Sequence, residues 1–235
     1  MFFFDIPTPV YNKLIGVFFM QIKKLCVLAM MSALAFILAA YVRVPIVSTP
    51  LLLRYDPKDI IIVIAGFLYG PMAAFLITVV VSLVQMITVS ATGFVGLFMN
   101  IVASTALCCT AAFIYKKDRT MRGALIGLIV GAIFATAVMM AWNYILTPIF
   151  LNMPRERVVP LLLPVFLPFN LINNFLNAAL TMLLYKHVRA MLRATQILPR
   201  EESPGKKKLN VGIIVASLFI ALTCVLWWLL LQGIL

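Results

Sequence analysis

The hydrophobic positions of this chain form long continuous runs instead of alternating with polar positions. Seven runs can be distinguished, at 22–42, 59–69, 72–90, 95–115, 123–147, 164–185 and 210–232. All but the second have roughly the 20 residues that a helix needs to cross the hydrocarbon core of a bilayer. Strands of a membrane barrel would alternate apolar and polar residues over about ten residues. The pattern therefore predicts an all-α integral membrane protein.

Composition supports this prediction and excludes a water-soluble class. The chain is 64% hydrophobic and 11% charged, whereas a soluble domain has about 25% charged residues. The formal net charge of +12 would suggest a nucleic-acid partner in a soluble protein. In a membrane protein, Lys and Arg instead hold loops on the cytoplasmic side, and we expect no nucleic acid partner.

The second run, 59–69, is too short to span the membrane by itself. Its 11 residues rise only about 16 Å against a hydrocarbon core of about 30 Å. Gly70-Pro71 then interrupts the helical pattern, so 59–90 is either one bent span or two crossings. With two crossings, 14 of the 19 Lys and Arg residues lie on one side. The positive-inside rule therefore favours two crossings, a cytoplasmic N-terminus and, after a seventh crossing, an outside C-terminus.

The two ends of the chain differ from the middle. Residues 1–20 lack the basic region and cleavage site of a signal peptide and are interpreted as an N-terminal extension, with Met20 a possible natural start. Residues 21–188 form the membrane core. Residues 189–209 are a basic linker, expected to bind anionic membrane lipid or, alternatively, a partner subunit. Residues 210–235 hold the seventh helix, interpreted as an anchor apart from any packed site.

Amide side chains mark a candidate ligand site inside the bundle. Asparagines in the sixth run follow spacings of three and four, which place most of them on one helical face. A single intramembrane Asn commonly ties two helices together, but four within eight residues favour an internal binding site. These four are Asn170, Asn173, Asn174 and Asn177. Other runs contribute Gln85, Asn100, Trp142 and Asn143.

The chemistry of these residues suggests a neutral ligand. No charged residue occurs in the middle of a run, so we expect no counter-ion for a charged ligand. Amides present a donor and an acceptor together, and aromatic rings offer stacking surfaces. These groups suit a planar molecule with alternating carbonyl and N–H groups, such as a flavin.

Catalytic chemistry has little support in the sequence. The single histidine, His187, lies at a basic edge of a run, and the HExxH and GxxxxGK[ST] motifs are absent. We therefore expect no catalytic residues, no metal site and no catalytic cofactor. Any ATP hydrolysis would have to come from partner subunits.

Several short motifs occur in a fixed order. They are LRYDPKDI at 53–60, GF and YGP at 66–71, TVSATG at 88–93, WNY followed by TP at 142–148, and LPVFLPFNLI at 163–172. Together they resemble the riboflavin-specific substrate-binding subunit (S component) of energy-coupling factor (ECF) vitamin transporters. The resemblance covers about residues 20–188. It implies a six-helix S-component bundle, to which the seventh C-terminal helix is an addition.

The resemblance also implies a function and partners. Such a subunit would bind riboflavin from outside and associate with a transmembrane T component and two ABC-type ATPase subunits. The loop at about 43–58, which contains Tyr55, would help to cover the site. Asn143 and Asn170 match positions that line the family's flavin pocket.

Small residues in the first run match the pattern that S components use for docking. Ala29 and Ala33 form an AxxxA pair, and small residues four apart let helix backbones approach closely. Ala35 and Ala39 have the same spacing, so the sequence leaves open which pair docks.

One position departs from the family pattern. Asn173 stands where the family often has a lysine. Two interpretations remain open. Either Asn173 donates to riboflavin instead of that lysine, or the ligand is FMN, a flavin analogue or another neutral vitamin. A membrane scaffold or enzyme without transport is the third reading. The asparagine face argues against the scaffold, and the lack of ionisable residues in mid-run argues against the enzyme.

Overall fold

The computed structural model describes residues 8–42, 44–47, 53–89, 93–150, 154–194 and 211–231. Its α-helices are α1 (Thr8–Tyr41), α2 (Lys58–Tyr69), α3 (Pro71–Thr88), α4 (Gly93–Lys117), α5 (Met121–Phe150), α6 (Arg155–Leu161), α7 (Leu167–Ala194) and α8 (Val211–Leu231). A π-helical turn, Leu162–Phe166, joins α6 to α7 into one helical segment. Two short strands, β1 (Pro45–Val47) and β2 (Leu53–Arg54), pair antiparallel between α1 and α2.

This architecture confirms the predicted all-α membrane fold. Helices α1 to α5 and the joined α6–α7 segment form the six-helix core, and α8 is the additional helix. Among the described residues, five segments are long and apolar enough to cross a membrane: Gln21–Tyr41, Pro71–Thr88, Gly93–Lys117, Met121–Ile149 and Arg155–Tyr185. Within α8, Ser217–Leu229 is a shorter apolar stretch.

Helices α2 and α3 form a hairpin. Gly70 turns the chain with a φ of +95°, and Pro71 occupies the first turn of α3, where its missing N–H costs no hydrogen bond. A Cβ atom placed on Gly66 would lie 3.1 Å from the Cβ of Ala74. Residues eight apart in one continuous helix would be about 12 Å apart, so 59–90 is not a single bent span.

The short helix α2 is enclosed by protein. Its first ten residues, Lys58 to Phe67, are all buried, and it contacts α1, α3, α4 and α7. A helix surrounded by other helices does not need to match the full thickness of the lipid core. Its length is therefore compatible with a place inside a membrane bundle.

Helices α4 and α5 pack closely because glycines line their contact. Cβ atoms on Gly127 and Gly131 would lie 2.8 Å from the carbonyl oxygens of Ala111 and Leu107, respectively. Only a residue without a Cβ fits so near a neighbouring backbone, as is common where membrane helices pack.

Several predicted boundaries shift in the structure. The fifth run predicts a helix that ends at 147, just before Pro148, but α5 continues to Phe150. This expectation was wrong because a proline within the last turn removes a single N–H donor and the remaining turn still forms. The α1 helix begins at Thr8, so most of the expected N-terminal extension continues the first helix.

The sixth helical segment is longer than its apolar run. It begins at Arg155 instead of 164, with proline at 160 inside α6 and proline at 164 inside the π-helical turn. The N–H of Leu167 donates to the carbonyl of Leu162, an i to i−5 bond that accommodates the missing proline donor. Helix α7 extends to Ala194, and the rest of the predicted linker, 195–209, lies outside the described residues.

Candidate ligand-binding site

The predicted site residues gather at one end of the bundle. At this end α1, α3 and α5 finish, α2, α4 and the α6–α7 segment begin, and the β1–β2 pair lies between α1 and α2. Because consecutive helices run in opposite directions, residues late in α3 and α5 approach residues early in α4 and α7. We call the described residues 44–47 and 53–57 the α1–α2 loop.

The α1–α2 loop is fastened to the asparagine face of α7. The Tyr55 hydroxyl donates to Oδ1 of Asn177 at 2.7 Å, and Nδ2 of Asn177 donates to the Asp56 carbonyl at 2.9 Å. The backbone N–H of Asp56 donates to Oδ1 of Asn173 at 3.1 Å. Asn177 is fully buried and uses both ends of its amide on the loop.

The environment of Tyr55 keeps its phenol protonated. Burial, followed by the nearby Asp59 and Asp56 carboxylates, raises the pKa of Tyr55 well above its ordinary value of 10. A protonated phenol is a donor, so the bond to Asn177 persists throughout the physiological pH range.

An ion pair between a buried lysine and a partly exposed carboxylate lies beside this contact. Lys58 Nζ pairs with Asp56 and donates to Oδ1 of Asn100 at 3.2 Å, and the lysine is only 2% exposed. The carboxylate of Asp59, also buried, accepts from the Ser104 hydroxyl at 2.5 Å. The sequence has no charged residue in the middle of a run, but the start of α2 brings charged groups beside the asparagine face. The alternating charges of Asp56, Lys58 and Asp59 at the start of α2 indicate charged groups near this end of the bundle, but they do not specify that Lys58 is buried.

A second group of amides lies between α5 and α7. Nδ2 of Asn174 donates to the Thr136 hydroxyl at 3.1 Å, which joins the two helices. Asn143, two turns further along α5, accepts from the Thr147 hydroxyl at 3.4 Å. Asn170, one turn before Asn174, donates to the Phe166 carbonyl at 2.7 Å. Because the helices are antiparallel, the buried side chains of Asn143 and Asn170 lie towards the same end of the bundle.

Two predicted residues carry buried polar atoms without a partner among the described residues. They are Oε1 of Gln85 and Nε1 of Trp142. The hydroxyls of Thr78 and Ser82, on the same face of α3 as Gln85, are also buried without a partner among the described residues. Buried polar groups are normally paired, so each is a candidate contact for a bound ligand. The Gly66–Ala74 contact places Ser82 level with Lys58 in the hairpin, with Gln85 about one turn beyond.

The structure thus sorts the eight predicted site residues into three sets. Tyr55, Asn100, Asn173 and Asn177 are joined in one hydrogen-bonded network through Asp56 and Lys58. Asn143 and Asn170 belong to the facing helices α5 and α7. No hydrogen bond among the described residues joins Gln85 or Trp142 to either set.

Neither of two cavities among the described residues is lined by Asn143 or Asn170. One, of about 240 Å³, lies between α7 and α8 and is lined by Phe175, Ile220 and Trp227, among others. The other, of about 220 Å³, lies at the α2–α3 turn beside Lys116 and Arg119. At the asparagine end the α1–α2 loop covers the amide face, so a ligand that approaches from that end must move the loop.

The two candidate docking pairs on α1 differ in exposure. Ala29 and Ala33 are exposed, whereas Ala35 and Ala39 are 0% and 4% exposed and belong to the buried core. Only the first pair lies on a surface that another helix could reach in this conformation.

Helix α8 does not stand apart from the site, contrary to the interpretation as a separate anchor. The indole N–H of Trp228 donates to the carbonyl of Pro45 in β1 at 3.0 Å. Cys224, one turn earlier, packs in a buried cluster with Ile46, Tyr55 and Ile172. Sequence reasoning missed this contact because almost all of the seventh run is apolar and does not indicate what it packs against.

Comparisons with known proteins are consistent across sequence and structure. The family model for the substrate-specific component of ECF transporters matches residues 23–185. The chain is 30% identical to "Riboflavin transporter RibU" of Staphylococcus aureus (strain TCH60), over 74% of this chain and 94% of that protein. It is also 30% identical to "Riboflavin transporter FmnP" of Bacillus subtilis (strain 168), over 71% of this chain and 92% of that protein.

A solved structure extends the likeness to the fold. It is described as "Structure and mechanism of the S component of a bacterial ECF transporter". It superposes with a TM-score of 0.64 at 30% identity, covering 74% of this chain and 99% of that one.

Proposed function

This chain belongs to the family of substrate-specific components of ECF transporters, and from that premise we propose that it captures riboflavin in the membrane for uptake. It is a multi-pass membrane protein and a non-enzymatic transporter subunit. We propose riboflavin as the vitamin because the chain is 30% identical to two proteins named riboflavin transporters, over more than nine-tenths of each of them.

The amide groups of the site suit the polar edge of a flavin. Asn143 and Asn170 supply donors and acceptors from facing helices, and the buried indole N–H of Trp142 is a further donor. In this account Tyr55, Asn173 and Asn177 hold the α1–α2 loop over the ring and contact it less directly.

The buried lysine bears on the choice between riboflavin and FMN. Lys58 is already paired with Asp56, so it offers a phosphate less attraction than an unpaired cation would. This pairing supports the neutral vitamin over its phosphate ester. The second candidate, a related flavin or another neutral vitamin, is favoured by Asn173, where the family often has lysine.

Transport would require partners. We propose that a transmembrane T component docks on the exposed Ala29–Ala33 face of α1 and that two ABC-type ATPase subunits supply the energy. Replacing both alanines by leucine would add bulk where backbones must approach. We expect riboflavin binding to be kept while uptake falls in vesicles that also contain the partner subunits. Unchanged uptake would remove this face from the docking surface.

The proposed orientation places the N-terminus and the basic linker in the cytoplasm. The Lys116 and Arg119 cluster then lies at the cytoplasmic membrane surface, where anionic lipid attracts basic residues, and the candidate site opens outward. Membrane-impermeant lysine labelling of intact cells should then spare Lys116 and Lys117. Labelling of both residues would show that the protein has the opposite orientation in the membrane.

The vitamin itself can be identified by competition. Purified full-length protein is loaded with riboflavin and then challenged with FMN or with biotin, which lacks the flavin ring. We expect FMN to displace riboflavin only at higher concentration and biotin not to displace it. Displacement by FMN at lower concentration than by unlabelled riboflavin would favour the second candidate.

A further inference from the structure

Helix α8 lies beyond the part of the chain that matches the family. The family match ends at residue 185. The solved S component is covered over 99% of its own length while only 74% of this chain is matched. The contacts of α8 therefore need an explanation that the family does not provide.

Hydrogen bonds on neighbouring residues of the α1–α2 loop connect α8 to the asparagine face of α7. Trp228 donates to the Pro45 carbonyl, and Pro45 lies opposite Arg54 in the β1–β2 pair. The next residue, Tyr55, donates its backbone N–H to the Val44 carbonyl at 2.7 Å. Its hydroxyl reaches Asn177. The loop is thus held on one side by α7 and on the other by α8.

Apolar contacts reinforce the hydrogen bond. Cys224, 7% exposed, packs in a buried cluster with Ile46 of β1 and Tyr55 of the loop. Residues four apart share a helical face, so Cys224 and Trp228 present two successive contacts to the loop. Elsewhere on α8, Leu218, Leu222 and Val225 are exposed, as expected for side chains that face lipid.

We propose that α8 is a latch that holds the α1–α2 loop closed over the ligand site, with Trp228 as its positioning residue. The role of the loop in holding ligand rests on the proposed function. The latch itself is a property of the ligand-free protein. Loop opening must break the indole–carbonyl bond and separate the Cys224 contacts, so α8 lengthens the time a bound ligand stays.

Hydrogen exchange in the ligand-free, full-length protein tests the latch directly. Trp228→Phe removes the N–H donor and replaces the indole with a smaller aromatic ring. Trp227→Phe is the matched control for that loss of size, because Trp227 is 42% exposed and lines the α7–α8 cavity. A lost hydrogen bond of ordinary strength predicts that loop amides, including that of Tyr55, exchange about two- to tenfold faster in Trp228→Phe alone. Equal exchange in both variants would overturn the proposal.

A second variant keeps the test valid if Trp228→Phe does not fold. Cys224→Ala removes the apolar contact one turn away and is expected to speed exchange of the same amides. Loop exchange unchanged from the wild type in Cys224→Ala would equally overturn the latch.

Riboflavin dissociation provides the functional readout. Stopped-flow fluorescence should show release from Trp228→Phe faster by the same two- to tenfold factor, with Trp227→Phe like the wild type. If the wild type binds no riboflavin but loop exchange responds to Trp228→Phe, the proposed function fails and the latch stands. If riboflavin binds but neither exchange nor release responds, the latch fails and the proposed function stands.

Discussion

The bond between Tyr55 and Asn177 offers the sharpest single test of how the loop closes. Tyr55→Phe removes only a hydroxyl, and the ring remains in its cluster with Ile46, Ile172 and Cys224. The hydroxyl donates to Asn177 at 2.7 Å across 122 residues of sequence. The substitution thus separates the hydrogen bond from the packing.

The expected magnitude follows from the burial of the acceptor. A hydrogen bond between neutral groups contributes about 1 kcal/mol net, but a buried group left unpaired costs about 1–3 kcal/mol. Asn177 is 0% exposed, so water cannot easily replace the lost hydroxyl. We expect a loss of about 2 kcal/mol in loop closure, or roughly a thirtyfold shift.

The assay is riboflavin binding with a matched tyrosine control. Tyr41 lies at the same end of the bundle but is 84% exposed, so Tyr41→Phe makes the same chemical change without burial. Dissociation constants from flavin fluorescence should rise by up to about thirtyfold for Tyr55→Phe and stay unchanged for Tyr41→Phe. Affinities of the two variants within twofold of each other would refute the claim that this bond closes the loop.

Three other predictions concern packing, charge and pH. Gly127→Ala forces a methyl group against the Ala111 carbonyl and should cost about 1–3 kcal/mol of stability. Ile126→Ala, at an exposed position on the same helix, should change the melting temperature little; equal changes would contradict the packing argument. Lys58→Met leaves the partly exposed Asp56 carboxylate unpaired and should cost about 1–3 kcal/mol, and adding Asp56→Asn should restore part of it; purely additive losses would show that the pair is not coupled. Because the folded-state pKa of Tyr55 is raised, its contribution to stability is present below pH about 10, the unfolded-state pKa, and is lost as pH rises further. Thermal unfolding at pH 8 and 10.5 should show a smaller alkaline loss in Tyr55→Phe than in the wild type, and identical losses would assign the effect to other groups.

Local patterns were sufficient to predict the bundle and its polar face. Run lengths near 20 residues indicated membrane helices, and spacings of three and four placed the α7 asparagines together. Gly70-Pro71 marked the hairpin turn. These features depend on helical geometry alone, which a sequence displays directly.

Features that depend on packing between distant segments were not predictable. The burial of Lys58 requires Asn100 and Asp56 to meet it, and nothing in the YDPKD stretch specifies that contact. Ala29–Ala33 and Ala35–Ala39 have identical spacing, and only the neighbouring helices decide which pair is covered. The bond from Trp228 to Pro45 spans 183 residues, far beyond the reach of any periodic pattern.

Whether this subunit binds riboflavin through amides at one end of the bundle can be measured by an equilibrium titration. Riboflavin is added to purified full-length protein and to the Asn170→Ala variant, and quenching of flavin fluorescence is followed. We expect saturable binding to the wild type at one flavin per chain. Asn170→Ala should bind more weakly by about 1–3 kcal/mol, the cost of an unpaired buried group. If the folded wild-type protein at micromolar concentration does not quench riboflavin fluorescence, the proposed riboflavin binding is contradicted.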